Sequence, residues 1–129
     1  MQDNSCFYPG QIVVLKSGSP DMTVEDVREN GTVLCSWFHA LTSTELLTVV
    51  FNADTLRLGR GEPLDGYPDT QFHPGQIVSL RSSGPRMTVS SVQDDEHIKQ
   101  VSCVWFGANG KAQMPSSATV HPNALVVRD

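Results

Sequence analysis

Two segments of the chain carry a thiol two residues before an indole: Cys35 with Trp37, and Cys103 with Trp105. In an extended strand a spacing of two puts both side chains on one face. Such a pair could be a reactive thiol beside an aromatic platform, or part of a core row that Val33 and Val101 extend. Free cysteine is among the most buried side chains, and no neighbouring cation in the sequence would depress either thiol pKa. The core row is therefore expected, with Cys35 and Cys103 in separate cores and too far apart for a disulfide. Cys6 precedes the first apolar run and is expected at the surface. His39, His73, His97 and His121 lack the H-x₃₋₅-H spacing of a metal site, and no C-x₂-C occurs. Three of them share the second half with Cys103, but surface histidines are the expectation. No G-x-S-x-G nucleophile elbow is present. Neither catalytic residues nor metal ligands nor a cofactor are expected; the chain reads as a non-enzyme.

Binding chemistry has better candidates. Lys16 and Pro20 bound one Ser/Gly/Pro loop, and Arg81 and Pro85, followed by Arg86, bound its twin. Asp21, Glu25 and Asp26 gather negative charge just after the first loop. Phe38 and Phe106 follow the Cys-x-Trp rows, point to the opposite side and sit at strand ends, which suits a partly exposed aromatic patch. Met22 and Met87 recur beside the loop prolines and are expected to fill the core.

These residues are placed by a duplication. Residues 7–24 read FYPGQIVVLKSGSPDMTV and residues 72–89 read FHPGQIVSLRSSGPRMTV, identical at about two-thirds of the aligned positions. VLCSWF at 33–38 matches VSCVWF at 101–106, and Asp54-Thr55-Leu56 matches Asn123-Ala124-Leu125 in the same order. The chain divides into a first repeat at 1–58, a Gly/Pro linker at 59–71 and a second repeat at 72–129. Units this small lie near the lower limit for burying enough surface to fold alone, so the copies are expected to lean on each other.

Within each copy, β-branched runs at 11–15 and 76–80 open on a Pro-Gly turn and read as strands. Second strands are expected at 22–27 and 87–92, third strands at 33–38 and 101–106, a fourth at 46–51, and closing strands at 56–58 and 125–127. Glu29-Asn30-Gly31 reads as a hairpin, because Asn-Gly supplies positive φ. Copy two has the longer Asp94-Asp95-Glu96-His97 there. The fold class expected is all-β: two tandem small SH3-like β-barrels of about five short strands each.

The pattern PGQIVxLKSG-x-P-x-MTV followed by C-x-WF resembles the YodC-like family of small bacterial proteins, a domain of unknown function. The resemblance covers nearly all of each copy and implies a shared fold, with no catalytic residues to carry over. Members are usually single units with two adjacent loop glycines. Here copy one has Gly18-Ser19 and copy two has Ser83-Gly84.

Charge narrows the functional classes. The net charge is −5, and residues 1–66 hold nine acidic against four basic side chains, whereas residues 67–129 hold five of each. Neither half shows the basic excess of a nucleic-acid binder. The sparse, odd cysteine count and an N-terminus unlike a signal peptide suggest a cytoplasmic protein. No apolar run is long enough to span a membrane. The expected function is an interaction module that binds a protein partner through the paired loops and a groove between the repeats. Two alternatives stand beside it: a small acidic, phage-borne inhibitor of a nucleic-acid-handling protein, and a nucleic-acid-binding small barrel using Lys16, Arg81 and Arg86.

Overall fold

Each copy enters its first strand through a turn closed by its own residues. Gln11 N–H donates to Tyr8 O at 3.1 Å, with Pro9 and Gly10 between them, and Gly10 has φ 100°. Proline in the second position and a positive-φ glycine in the third define a type II turn. The Gln11 side chain then folds back, its Oε1 accepting from Tyr8 N at 2.7 Å. His73-Pro74-Gly75-Gln76 repeats this, with Gly75 at φ 95° and Gln76 Oε1 accepting from His73 N at 2.8 Å. The invariant P-G-Q of the two copies is thus a self-satisfied turn.

The structure, a computed structural model, describes residues 7–38, 45–59, 71–96, 98–107 and 111–128. The first repeat contributes β1 (Ile12–Leu15), β2 (Met22–Val27), β3 (Thr32–Phe38), β4 (Leu46–Asn52) and β5 (Leu56–Leu58). The second contributes β6 (Ile77–Leu80), β7 (Met87–Asp94), β8 (Lys99–Trp105), β9 (Ser116–Val120) and β10 (Leu125–Val127). A 3-10 turn precedes the last strand of each copy, at Ala53–Thr55 and Pro122–Ala124. The sheets run β4-β3-β2-β1-β5 and β10-β6-β7-β8-β9, with antiparallel pairing throughout. The all-β class and the two five-stranded units agree with the sequence. Among the described residues no ladder joins β4 to β5 or β9 to β10, so these are open sheets and not closed barrels.

The expected strands at 22–27, 56–58 and 125–127 have the observed bounds, and the others shift by one or two residues. β9 was not legible: Ser-Ser-Ala-Thr-Val turns only Ala118 and Val120 to the core. The first hairpin differs in type. Arg28 N–H donates to Thr32 O and Gly31 N–H to Arg28 O, and only Gly31, at φ 85°, is left-handed. This is a three-residue loop ending in a glycine bulge, with Asn30 using its Oδ1 to accept from Thr32 N and Oγ1. Both copies carry a bulge at matching positions, Val24/Asp26 and Val89/Ser91.

The cores are separate. Val13, Met22, Val24, Val33, Cys35 and Leu56 build the first; Val78, Leu80, Met87, Val89, Val101, Cys103, Trp105 and Leu125 build the second. The Val-Cys-Trp rows and both methionines lie where alternation put them, although Trp37 is only half-buried. Cys6, His39, His97 and most of the linker lie outside the described residues.

Candidate functional site

The two copies meet across the outer face of the first sheet. In β2, Met22 and Val24 turn into their own core, so Thr23 and Glu25 point away from it, yet these are only 0% and 8% exposed. The second copy covers them. Thr23 Oγ1 donates to Ser82 Oγ at 2.7 Å and accepts from Ser82 N–H at 2.9 Å. Glu25 Oε1 accepts from His121 N–H at 2.8 Å, and Oε2 accepts from Ser36 Oγ at 2.8 Å. Burial raises the Glu25 pKa above its ordinary value, the two hydrogen bonds opposing it and neighbouring Asp26 adding to it. The equivalent residues of copy two, Thr88 and Ser90, are exposed.

Phe38 completes the junction. Its ring meets Trp105 edge-on, with centroids 5.3 Å apart and planes at 90°, and packs with Leu46 against the second core. The same ring lies over Gly84, where a Cβ would overlap Phe38 Cδ2 and fall 3.0 Å from Cε2 and 3.2 Å from Cγ. Gly84 has φ 146°, and Ser83 beside it takes φ 99°. In copy one a Cβ added at Gly18 would meet nothing within 4 Å among the described residues, and Ser19 Oγ accepts from Leu15 N–H at 3.0 Å. The exchange of Gly18-Ser19 for Ser83-Gly84 therefore has a steric cause: the glycine moved to where the Phe38 ring needs room.

This placement corrects several expectations. Phe38 is no free aromatic patch, because its partner is the second repeat. Glu25 belongs to the junction and not to an acidic surface. Arg81 is half-buried, its Nε donating to Asn123 O at 2.6 Å, and burial lowers its pKa. It holds the 3-10 turn in place of presenting a free charge. Lys16 and Pro20 are exposed, Asp21 is half-buried, and Asp26 is exposed beside Arg28 at 3.8 Å. Pro85, Arg86 and Phe106 do come together, around a depression of about 460 Å³ shared with Thr88, Val104 and Pro115.

Beside the junction runs a larger groove of about 1100 Å³ that both copies line. Asp26 and Thr48 come from the first; Phe72, Val92, Asp94, Glu96, Ile98 and Lys99 come from the second. Lys99 pairs with Asp94 at 3.4 Å. His121, also on the wall, caps the second 3-10 turn: its Nδ1 accepts from Asn123 N–H at 3.0 Å, as Asn52 Oδ1 accepts from Asp54 N–H at 2.9 Å in copy one. Desolvation lowers the His121 pKa, Asp26 opposing and Lys99 reinforcing the shift. Asn123 Nδ2 is buried and has no hydrogen-bond partner among the described residues.

Both described cysteines are unsuited to thiolate chemistry. Burial, with a smaller contribution from Glu25, pushes Cys35 up to about 12 and Cys103 up to about 11. Among the described residues no group of three or more His, Cys, Asp or Glu side chains could hold a metal ion, and no helix is long and apolar enough to cross a membrane. Sequence reading missed Thr23, Ser36, Ser82, His121 and Asn123. One signal was available: Glu25 faces Ser90, and Gly84 faces Ser19, when the copies are aligned.

The family described as an uncharacterized small protein, DUF2158, matches the chain twice, at residues 9–56 and 73–120. The chain belongs to that family, as two members in tandem. No curated protein and no solved structure matches it significantly.

Proposed function

We propose that this tandem DUF2158 chain is a non-enzymatic interaction module that binds a protein partner in the groove between its copies. The observation that carries this is the composition of the groove. Among the described residues, the carboxylates of Asp26, Asp94 and Glu96 rim it with Lys99, above an apolar floor of Phe72, Val92 and Ile98, while Glu25 is engaged in the junction. Such a surface suits a segment that alternates basic and apolar side chains. A backbone carbonyl of that segment is also the kind of acceptor that Asn123 Nδ2 lacks among the described residues. The paired-loop part of the expectation narrows, since the loop at 81–85 is engaged within the chain and only its twin at 16–20 is open. The same rim favours the acidic inhibitor over the nucleic-acid binder, because phosphates would meet carboxylates.

Each copy is further read as an SH3-like unit. Strand order supports this: a four-strand meander whose fifth strand returns through a 3-10 turn to pair with the first, in both repeats.

The test is fluorescence anisotropy with a short labelled peptide of alternating lysine and leucine. Asp26→Lys with Glu96→Lys should weaken binding by about tenfold or more, and added salt should weaken binding to the native chain. Asp54→Lys, away from the groove, should leave the affinity unchanged. Equal affinities for the native and the doubly reversed chain would reject the groove.

A further inference from the structure

We infer that the outer face of the second sheet, around Thr88, Val104 and Phe106, is a docking surface for a Ser-x-Gly-Pro loop of another chain built on this same unit. This goes beyond the groove and does not depend on it. The internal junction is heterologous: a sheet face on copy one (Thr23, Glu25, Phe38) receives the loop of copy two (Ser82, Gly84) together with Trp105 and His121 beside it. Duplication supplies each surface twice, and the junction uses each once. A heterologous contact used once leaves an unmatched face at either end.

The unmatched face keeps the threonine and the phenylalanine, has Ser90 in place of Glu25, and is more apolar than its twin. Thr88 stands in the place of Thr23 and Phe106 in the place of Phe38. Thr88 pairs with Val104 across β7 and β8 as Thr23 pairs with Ser36 across β2 and β3. Val104 and Phe106 are 37% and 48% exposed, two residues apart, with Pro85, Arg86 and Pro115 bordering the depression beside them. The occupant follows from the occupied twin. Thr23 takes a serine by its hydroxyl and its N–H, and the Phe38 ring requires a glycine two residues further on, with Pro85 next.

The chain's own spare loop, Ser17-Gly18-Ser19-Pro20, has the serine and the proline but not that glycine. Ser19 does not take the positive φ of Gly84, and if it did its Cβ would meet the Phe106 ring as a Cβ at Gly84 would meet Phe38, so copies of this chain are excluded and the partner is a different chain bearing the glycine.

Exchanging two residues tests this. Gly18→Ser with Ser19→Gly turns residues 17–19 into the sequence of 82–84. In sedimentation at about 1 mM, the native chain should run at its 14.1 kDa monomer mass. The exchanged chain should form concentration-dependent dimers and longer head-to-tail species, and adding Phe106→Ala should return it to monomer. An exchanged chain that stays monomeric, association that survives Phe106→Ala, or a native chain already associated through Phe106 would each overturn the inference. Should the exchange unfold the first repeat, a cyclised peptide copying residues 80–87 replaces it. Added to the native chain, it should shift the amide resonances of Thr88, Val104 and Phe106, and its Gly→Ala version should not. No shift at those residues, or equal shifts with both peptides, would overturn the inference equally.

Discussion

Replacing Gly84 by alanine should destabilise the chain far more than the same change at Gly18, its neighbour in the aligned loops. Two terms act at Gly84. Its φ of 146° is a backbone state that alanine tolerates at a cost of roughly 1–3 kcal/mol. The new methyl would also overlap Phe38 Cδ2 and stand 3.0 Å from Cε2, where carbon contacts normally settle at about 3.5–4.0 Å. The ring cannot simply retreat, because it is wedged edge-on against Trp105. Overpacking of this kind costs about 1–3 kcal/mol, and displacing the aromatic pair forfeits roughly 0.5–1.5 kcal/mol more. A total of about 2.5–7.5 kcal/mol is expected in urea unfolding. At Gly18, φ is 109° and a Cβ would meet nothing within 4 Å, so only the backbone term of about 1–2 kcal/mol applies. A double-mutant cycle isolates the ring: with Phe38→Ala present, Gly84→Ala should lose its steric part and fall to its backbone cost alone. If Gly84→Ala costs no more than Gly18→Ala, or costs the same with and without the Phe38 ring, the steric account of the glycine exchange is wrong.

Two further outcomes are expected. The folded state holds the Glu25 proton more tightly than the unfolded chain does, so stability should fall as pH rises from about 4.5 through the raised folded pKa and then level off. His121 acts oppositely: its folded pKa is lowered, so stability is lost as pH falls below about 6.5 toward that folded pKa. Thermal melts across this range should show Glu25→Gln steepening the acid-side loss and His121→Asn, which keeps the Asn52-type cap, flattening it; profiles that do not change would refute the assignment. Thiol labelling of the native chain should leave Cys35 and Cys103 unreacted until denaturant is added, given pKa values near 12 and 11 and nearly complete burial. Rapid native-state labelling of either would remove the core assignment.

Much of the fold was legible because its determinants are local. Pro-Gly-Gln closes its own turn, Met-x-Val and Val-x-Cys alternate into a core, and Leu56 and Leu125 open the matching closing strands. β9 escaped because a strand that turns only Ala118 and Val120 inward has too little apolar contrast to stand out. The site was legible only in part. Pro85, Arg86 and Phe106 were named and do cluster, whereas Glu25 and Phe38 were named for roles the junction overrides, and Arg81 is turned inward to the 3-10 turn of its own repeat.

Duplication, strand alternation and the two cores follow from the order of residues alone, since each depends on neighbours two to a few positions away. What covers the outer face of a strand does not. Thr23 and Thr88 are the same residue in the same motif, one buried against Ser82 and the other open to solvent. Period-two alternation says that both point away from their own core. Only the packing of one copy on the other decides which becomes an interface, and that packing moved a loop glycine, buried a carboxylate and left Phe106 exposed.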